Sequence, residues 1–161
     1  MIERMKFIFL DVDGVLNCQK TWSTEHADGT NTIDPAMCDQ LARIVNACWP
    51  VTVVLSSTWR LYPGEGLDKL RVWLEMRNVR WVSATPDLCC EFSSTTQLRG
   101  LEIERWFKER PQFDRATAKI LILDDSSDFT DEQKPFHIQT SWETGLTQDL
   151  ADAAIAVLNA Q

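Results

Sequence analysis

Short, mostly apolar runs at residues 6–10 (KFIFL), 51–55 (VTVVL), 79–82 (VRWV) and 120–123 (ILIL) recur along the chain, with amphipathic stretches between them. Such runs have the length of strands, and their near-continuous apolar character fits strands covered on both faces, as in parallel sheets. Residues 136–139 form a weaker fifth candidate. In the first intervening stretch Asp34 is placed to cap a helix with Pro35 in its first turn, and Met37, Leu41, Ile44 and Val45 make the apolar stripe. Residues 67–76 carry Leu67, Leu70 and Leu74 on one helical face. Residues 101–109 turn Ile103, Trp106 and Phe107 inward and end ahead of Pro111. Thr147 is placed to cap a last helix reaching Leu158. This alternation predicts a three-layer α/β fold around a mostly parallel five-stranded sheet. With 161 residues, 44% of them hydrophobic, one core suffices, so a single domain over residues 1–161 is expected.

Charge and cysteine usage bound the function classes. The chain has 24 acidic against 16 basic residues, a net −8. Residues 1–119 hold 16 acids and 15 bases, whereas residues 120–161 hold 8 and 1, so the acidity is concentrated near the C-terminus. That balance argues against a broad nucleic-acid-binding surface, because long-range repulsion would oppose a phosphate backbone. It leaves room for a single anionic group met locally by arginines or a metal. The N-terminal apolar run is interrupted by acids at once, too soon for a signal segment or a bilayer span. Cys18, Cys38, Cys48, Cys89 and Cys90 are odd in number and lack CxxC spacing, which suits reduced thiols. A cytoplasmic protein, monomeric and without membrane partners, is expected. His26 and His137 show no metal-ligand spacing.

In folds of this kind sites collect beyond the carboxyl ends of the central strands. The first strand is followed by Asp11-Val12-Asp13-Gly14, the second by Ser56-Ser57-Thr58-Trp59-Arg60, and the fourth by Asp124-Asp125-Ser126-Ser127-Asp128. Carboxylates repel one another, and a bound divalent cation is the obvious reason to converge four or five of them. Asp11 and Asp13 are two apart, so extended backbone points both to one side, and Gly14 lets the chain turn past them. One carboxylate can then act as nucleophile and the other as general acid and base. Two turn aspartates bonding backbone amides would be the plainer use of DxDG, but it leaves the other strand ends unexplained. Arg60 suits bidentate phosphate binding or, equally, a surface ion pair. Trp59 reads as a packed side chain.

The ordered set Asp11-Val12-Asp13-Gly14-Val15, Val53-Val54-Leu55-Ser56 and Asp124-Asp125 resembles the haloacid dehalogenase (HAD) superfamily of phosphotransferases. The resemblance frames nearly the whole chain and implies a Rossmann-like fold. It implies that Asp11 attacks phosphorus to give an aspartyl-phosphate, and that Asp13 protonates the leaving oxygen and then activates water. An aspartate at position 13 favours phosphate ester hydrolysis over halide displacement. By the same resemblance Mg²⁺ would be held by Asp11, the backbone carbonyl of Asp13, and Asp125, with Asp124 bound directly or through water. Asp128 would lie further out, or simply cap a turn. Ser56 would hold the transferring phosphoryl group; the run Ser56-Ser57 leaves the phase between them open, and Ser57 could be a backbone cap instead. The basic residue that offsets the site's charge would be Arg99, with Lys119 or Arg105 as alternatives.

Superfamily members often carry a cap domain, yet here residues 17–32 suffice only for a flap hairpin and residues 60–98 for one helix, one strand and a loop. A capless phosphatase with an open site is implied. The strings VVLSSTWR, RGLEIERWF and ILILDDSSDF are similar to small HAD domains associated with RNA repair proteins. The expected substrate is a phosphorylated small molecule or a phosphorylated nucleic-acid end. Trp22 would stack on a base or bury itself over the site. A non-catalytic module binding phosphorylated ends or a protein partner, and a phosphotransferase or mutase, are the alternative functions.

Overall fold

The computed structural model describes residues 4–23, 33–91 and 96–160. Five strands, β1 (Lys6–Leu10), β2 (Thr52–Leu55), β3 (Trp81–Ala84), β4 (Lys119–Asp124) and β5 (His137–Gln139), form an all-parallel sheet in the order β3-β2-β1-β4-β5. The helices are α1 (Gln19–Ser23), α2 (Pro35–Ala47), α3 (Glu65–Glu75), α4 (Leu98–Lys108) and α5 (Gln148–Ala160). This is the α/β architecture expected from the alternating pattern, and the Rossmann-like fold that the resemblance implied.

Strand alternation assigns each apolar side chain to a face. Phe7 and Phe9 of β1 point with Val54, Ile120 and Ile122 toward α4, where Ile103, Trp106 and Phe107 meet them. The rings of Phe7 and Trp106 stand edge to face at 5.5 Å, and those of Phe7 and Phe107 at 5.3 Å. Each such ring contributes roughly 2–3 kcal/mol by leaving water. Ile8 and Leu10 point the other way with Leu55, Leu121 and Leu123, onto Leu41, Ile44, Leu70, Leu74 and Leu158. One helix therefore covers one face, while α2, α3 and α5 cover the other.

Asp34 caps α2 as the sequence suggests, its Oδ1 accepting from Ala36 N–H at 2.8 Å with Pro35 in the first turn. Several boundaries differ from the pattern, two of them for a visible local reason. The third strand starts at Trp81 rather than residue 79, because α3 ends through Asn78 in a left-handed conformation (φ 59°). Val79 donates to Leu74 O at 2.9 Å and is buried in that turn. Helix α4 begins at Leu98, three residues early, taking Gly100 into its first turn. A Cβ there would lie 2.6 Å from Gln133 Oε1 and 3.0 Å from Thr130 N, so Gly100 serves close packing and not termination. Of the flap expected over residues 17–32, residues 24–32 lie outside the described residues, and the described part carries α1. No helix among the described residues is long and apolar enough to cross a membrane.

Candidate active site

The parallel ladder continues one residue past the central strands. Asp11 N–H donates to Leu123 O at 2.9 Å and Ser56 N–H to Leu10 O at 2.8 Å, which sets Asp11 and Ser56 level with Asp124. Asp11 has the parity of Phe7 and Phe9, Ser56 that of Val54, and Asp124 that of Ile120 and Ile122. All three side chains thus emerge on the face that α4 covers, and α4 brings Arg99 in its first turn.

Arg99 Nη1 lies 3.1 Å from Asp124 Oδ2, 3.1 Å from the Ser56 carbonyl and 3.6 Å from Asp11 Oδ1. Burial raises the Asp11 carboxyl above its ordinary range, against Arg99, the Val12 N–H and the Ser57 hydroxyl, which favour its ionised form. Asp124 is pushed up to about 8, first by burial and then by the charge of Asp11. Asp125 is raised too, again mainly by burial. Carboxylate oxygens of Asp11, Asp124 and Asp125 all lie within 4.8 Å of one another. An all-oxygen set with more negative charge than one arginine offsets fits a hard divalent cation such as Mg²⁺. Gly14 makes room for this group. Its φ is +71°, and a Cβ would stand 2.6 Å from Asp125 Cγ.

Asp13 faces different partners. Its Oδ1 accepts from Asn17 Nδ2 at 2.8 Å and its Oδ2 from Trp59 Nε1 at 2.9 Å. Trp59 belongs to a 3-10 turn, Thr58–Leu61, whose cap is Ser57: the hydroxyl accepts from Trp59 N–H at 3.3 Å. Ser56 Oγ is buried and has no hydrogen-bond partner among the described residues, as expected of a hydroxyl kept for a ligand. Trp59 and Asn17 were not legible as site residues. Their positions just beyond the ends of β2 and β1 were the available signal.

Arg60 corrects an expectation. Its side chain is 7% exposed. Nε donates to Thr85 O at 2.8 Å, Nη1 to the carbonyls of Ser56 at 2.9 Å and Ser57 at 2.7 Å, and Nη2 to Pro86 O at 3.1 Å and Glu102 Oε2 at 2.8 Å. A guanidinium has five N–H groups, and each of these has an acceptor. None remains for a phosphate, and the ion pair is buried and not on the surface. Arg60 instead ties the loops after β2 and β3 to α4.

The alternatives to Arg99 lie elsewhere. Lys119 opens β4 at the amino end of the sheet, and Arg105 pairs with Glu91 at 3.0 Å on the surface. Asp128 accepts Arg99 N–H on Oδ2 at 3.3 Å, the capping role at the start of α4, while its Oδ1 is buried without a partner among the described residues. His137 Nε2 contacts the Asp124 carbonyl at 3.0 Å from outside the acidic group. Trp22 is 45% exposed and its ring centroid lies 5.9 Å from that of Trp142, so it is not buried over the site. His26 lies outside the described residues.

Residues 7–151 match a family model described as the HAD domain in Swiss Army Knife RNA repair proteins. Comparisons with curated proteins and with solved structures found no match.

Proposed function

Because the chain belongs to the family of HAD domains in Swiss Army Knife RNA repair proteins, we propose that it is a Mg²⁺-dependent phosphomonoesterase working through Asp11. The observation that carries this reading is the meeting of Asp11, Ser56, Asp124 and Arg99 on one sheet face, with Asp125 beside the acids. Asp11 attacks phosphorus, and the bond from phosphorus to the ester oxygen breaks as Asp13 gives that oxygen a proton. Asp13 then takes a proton from water, whose oxygen attacks phosphorus, and the Asp11–phosphoryl bond breaks to release phosphate. Ser56 Oγ holds the phosphoryl group, and Arg99 offsets charge accumulating between Asp11 and Asp124. Asp11, Asp124, Asp125 and the Asp13 carbonyl would hold Mg²⁺, which when bound supplies positive charge for the approaching phosphate.

The substrate we propose is a phosphorylated nucleic-acid end, met by a monomer in the cytoplasm. The family description and the half-exposed Trp22, whose ring lies beside that of Trp142 and offers an apolar surface on which a base can stack, support it. The acidic C-terminal quarter keeps the recognition local to one end. The test is phosphate release from 3′- and 5′-phosphorylated oligonucleotides, mononucleotides, sugar phosphates and phosphopeptides, with Mg²⁺ or EDTA. Release that needs Mg²⁺ and is fastest on oligonucleotide ends is expected. Equal, feeble rates across the panel would refute the nucleic-acid end as substrate, and no release at all would refute the phosphatase.

A further inference from the structure

We infer that Trp59 and Asn17 are positioning residues that fix the orientation in which Asp13 hands its proton to the leaving oxygen; this rests on the phosphatase reading above. The two carboxylate oxygens of Asp13 are gripped from separate loops, Oδ1 by Asn17 Nδ2 at 2.8 Å and Oδ2 by Trp59 Nε1 at 2.9 Å. The Asn17 amide is not free to reverse. Gly14 N–H, which can only donate, occupies Asn17 Oδ1 at 2.9 Å and leaves Nδ2 for Asp13. The indole N–H likewise has no acceptor role. Each carboxylate oxygen carries two lone pairs, so the grip leaves one on each for the transferred proton.

The holders are themselves held. Asn17 is fully buried, and Trp59 packs against the core on the side of α2 and α3. Backbone N–H of Trp59 is fixed by Ser57 Oγ, one residue from the hydroxyl of Ser56. A single turn therefore presents both the phosphoryl-holding hydroxyl and the indole that orients the acid. During transfer the bond from Asp11 to phosphorus forms as the ester bond breaks. The Asp13 proton then passes to the leaving oxygen, and the resulting carboxylate stays aimed by both donors. Orientation of this kind is worth much in rate, since small misplacements of a reacting group cost large factors.

The experiment compares Trp59→Phe with the natural chain on two Mg²⁺-supported substrates, 4-nitrophenyl phosphate and an alkyl phosphate such as a mononucleotide. Nitrophenolate leaves without help, whereas an alkoxide needs the proton. Read as the single-turnover rate of ester cleavage, ahead of hydrolysis of the shared aspartyl-phosphate, a roughly tenfold or greater fall is expected on the alkyl ester and under about threefold on the aryl ester, with half-saturating substrate within about twofold on both. Asn17→Ala should show the same pattern, and Trp59→Phe should add no further loss in an Asp13→Asn background. Equal losses of that cleavage rate on both esters, a change confined to half-saturation, or a faster cleavage overturns the inference. Melting curves accompany each variant, and if Trp59→Phe is unfolded at the assay temperature the same comparison in Asn17→Ala decides. No turnover of either ester by the natural chain contradicts the phosphatase reading itself, and the positioning role falls with it.

Discussion

Arg99 meets Asp124 at 3.1 Å, and the same nitrogen lies 3.6 Å from Asp11, so one guanidinium stands between two carboxylates and works against the burial that raises both. Arg99→Ala should destabilise the metal-free protein by roughly 1–3 kcal/mol in urea unfolding, less than the ~3–5 of a broken buried pair because Asp124 can bind a proton instead. Arg99→Lys should recover part of this, since lysine supplies the charge without the planar fork. An unchanged unfolding midpoint in Arg99→Ala would remove Arg99 from the site's charge balance.

The acids make stability depend on pH in a definite direction. Asp124 is raised from 3.8 to about 8, so its folded form binds the proton more tightly than the unfolded chain does. Its contribution is fully present below about pH 4 and is lost as pH climbs through about 8. Raised Asp11 and Asp125 act in the same sense. His137 opposes them at the acid end, because its lowered pKa removes stability as pH falls below its ordinary 6.5. In EDTA the Tm should therefore fall between about pH 6.5 and 8, and Mg²⁺ should flatten that fall. A Tm that rises across this window in EDTA would contradict the assignment.

Gly14→Ala places a Cβ 2.6 Å from Asp125 Cγ and forces an L residue to φ +71°. A cost of about 1–2 kcal/mol for the backbone alone is expected. Because Asp125 must move, the larger effect should be on Mg²⁺, whose half-saturating concentration for activity should rise at least about tenfold. Titration of activity with Mg²⁺ reads this directly, and an unaltered midpoint would show that Asp125 is not a ligand.

Arg60 is the case in which residue chemistry and structural role separate. Arg60→Lys gives Glu102 Oε2 a weaker ion-pair partner and strips several loop carbonyls of their donor, at a cost of about 3 kcal/mol. Inhibition by inorganic phosphate should be unaltered in whatever fraction is folded. A selective loss of phosphate affinity with normal Tm would restore the phosphate-binding role.

The sheet and the strand-end residues were legible because each is local. Apolar runs mark strands, and the first polar residue after each run lies at the sheet's carboxyl edge. Parity then carries Asp11, Ser56 and Asp124 to one face. What was not legible depends on contacts distant in sequence. Arg60 reaches Glu102 across 42 positions, and Trp59 reaches Asp13 across 46. An arginine beside a serine pair reads as an anion binder until burial and five acceptors are known. Trp59 reads as packing because only the indole's polar edge, invisible in a hydrophobic pattern, meets the site. Gly100 carries no signal in an apolar pattern, because the loop it approaches comes about thirty residues later.

The central claim is that Asp11 becomes covalently phosphorylated. Asp13→Asn with Mg²⁺ and an aryl phosphate should form the intermediate, since nitrophenolate leaves unaided, and should hydrolyse it slowly. Acid quenching, borohydride reduction and peptide mass mapping should then find Asp11 converted to homoserine, with no such product from an Asp11→Asn, Asp13→Asn double variant. Modification at another residue, or full turnover by Asp11→Asn, would contradict the account.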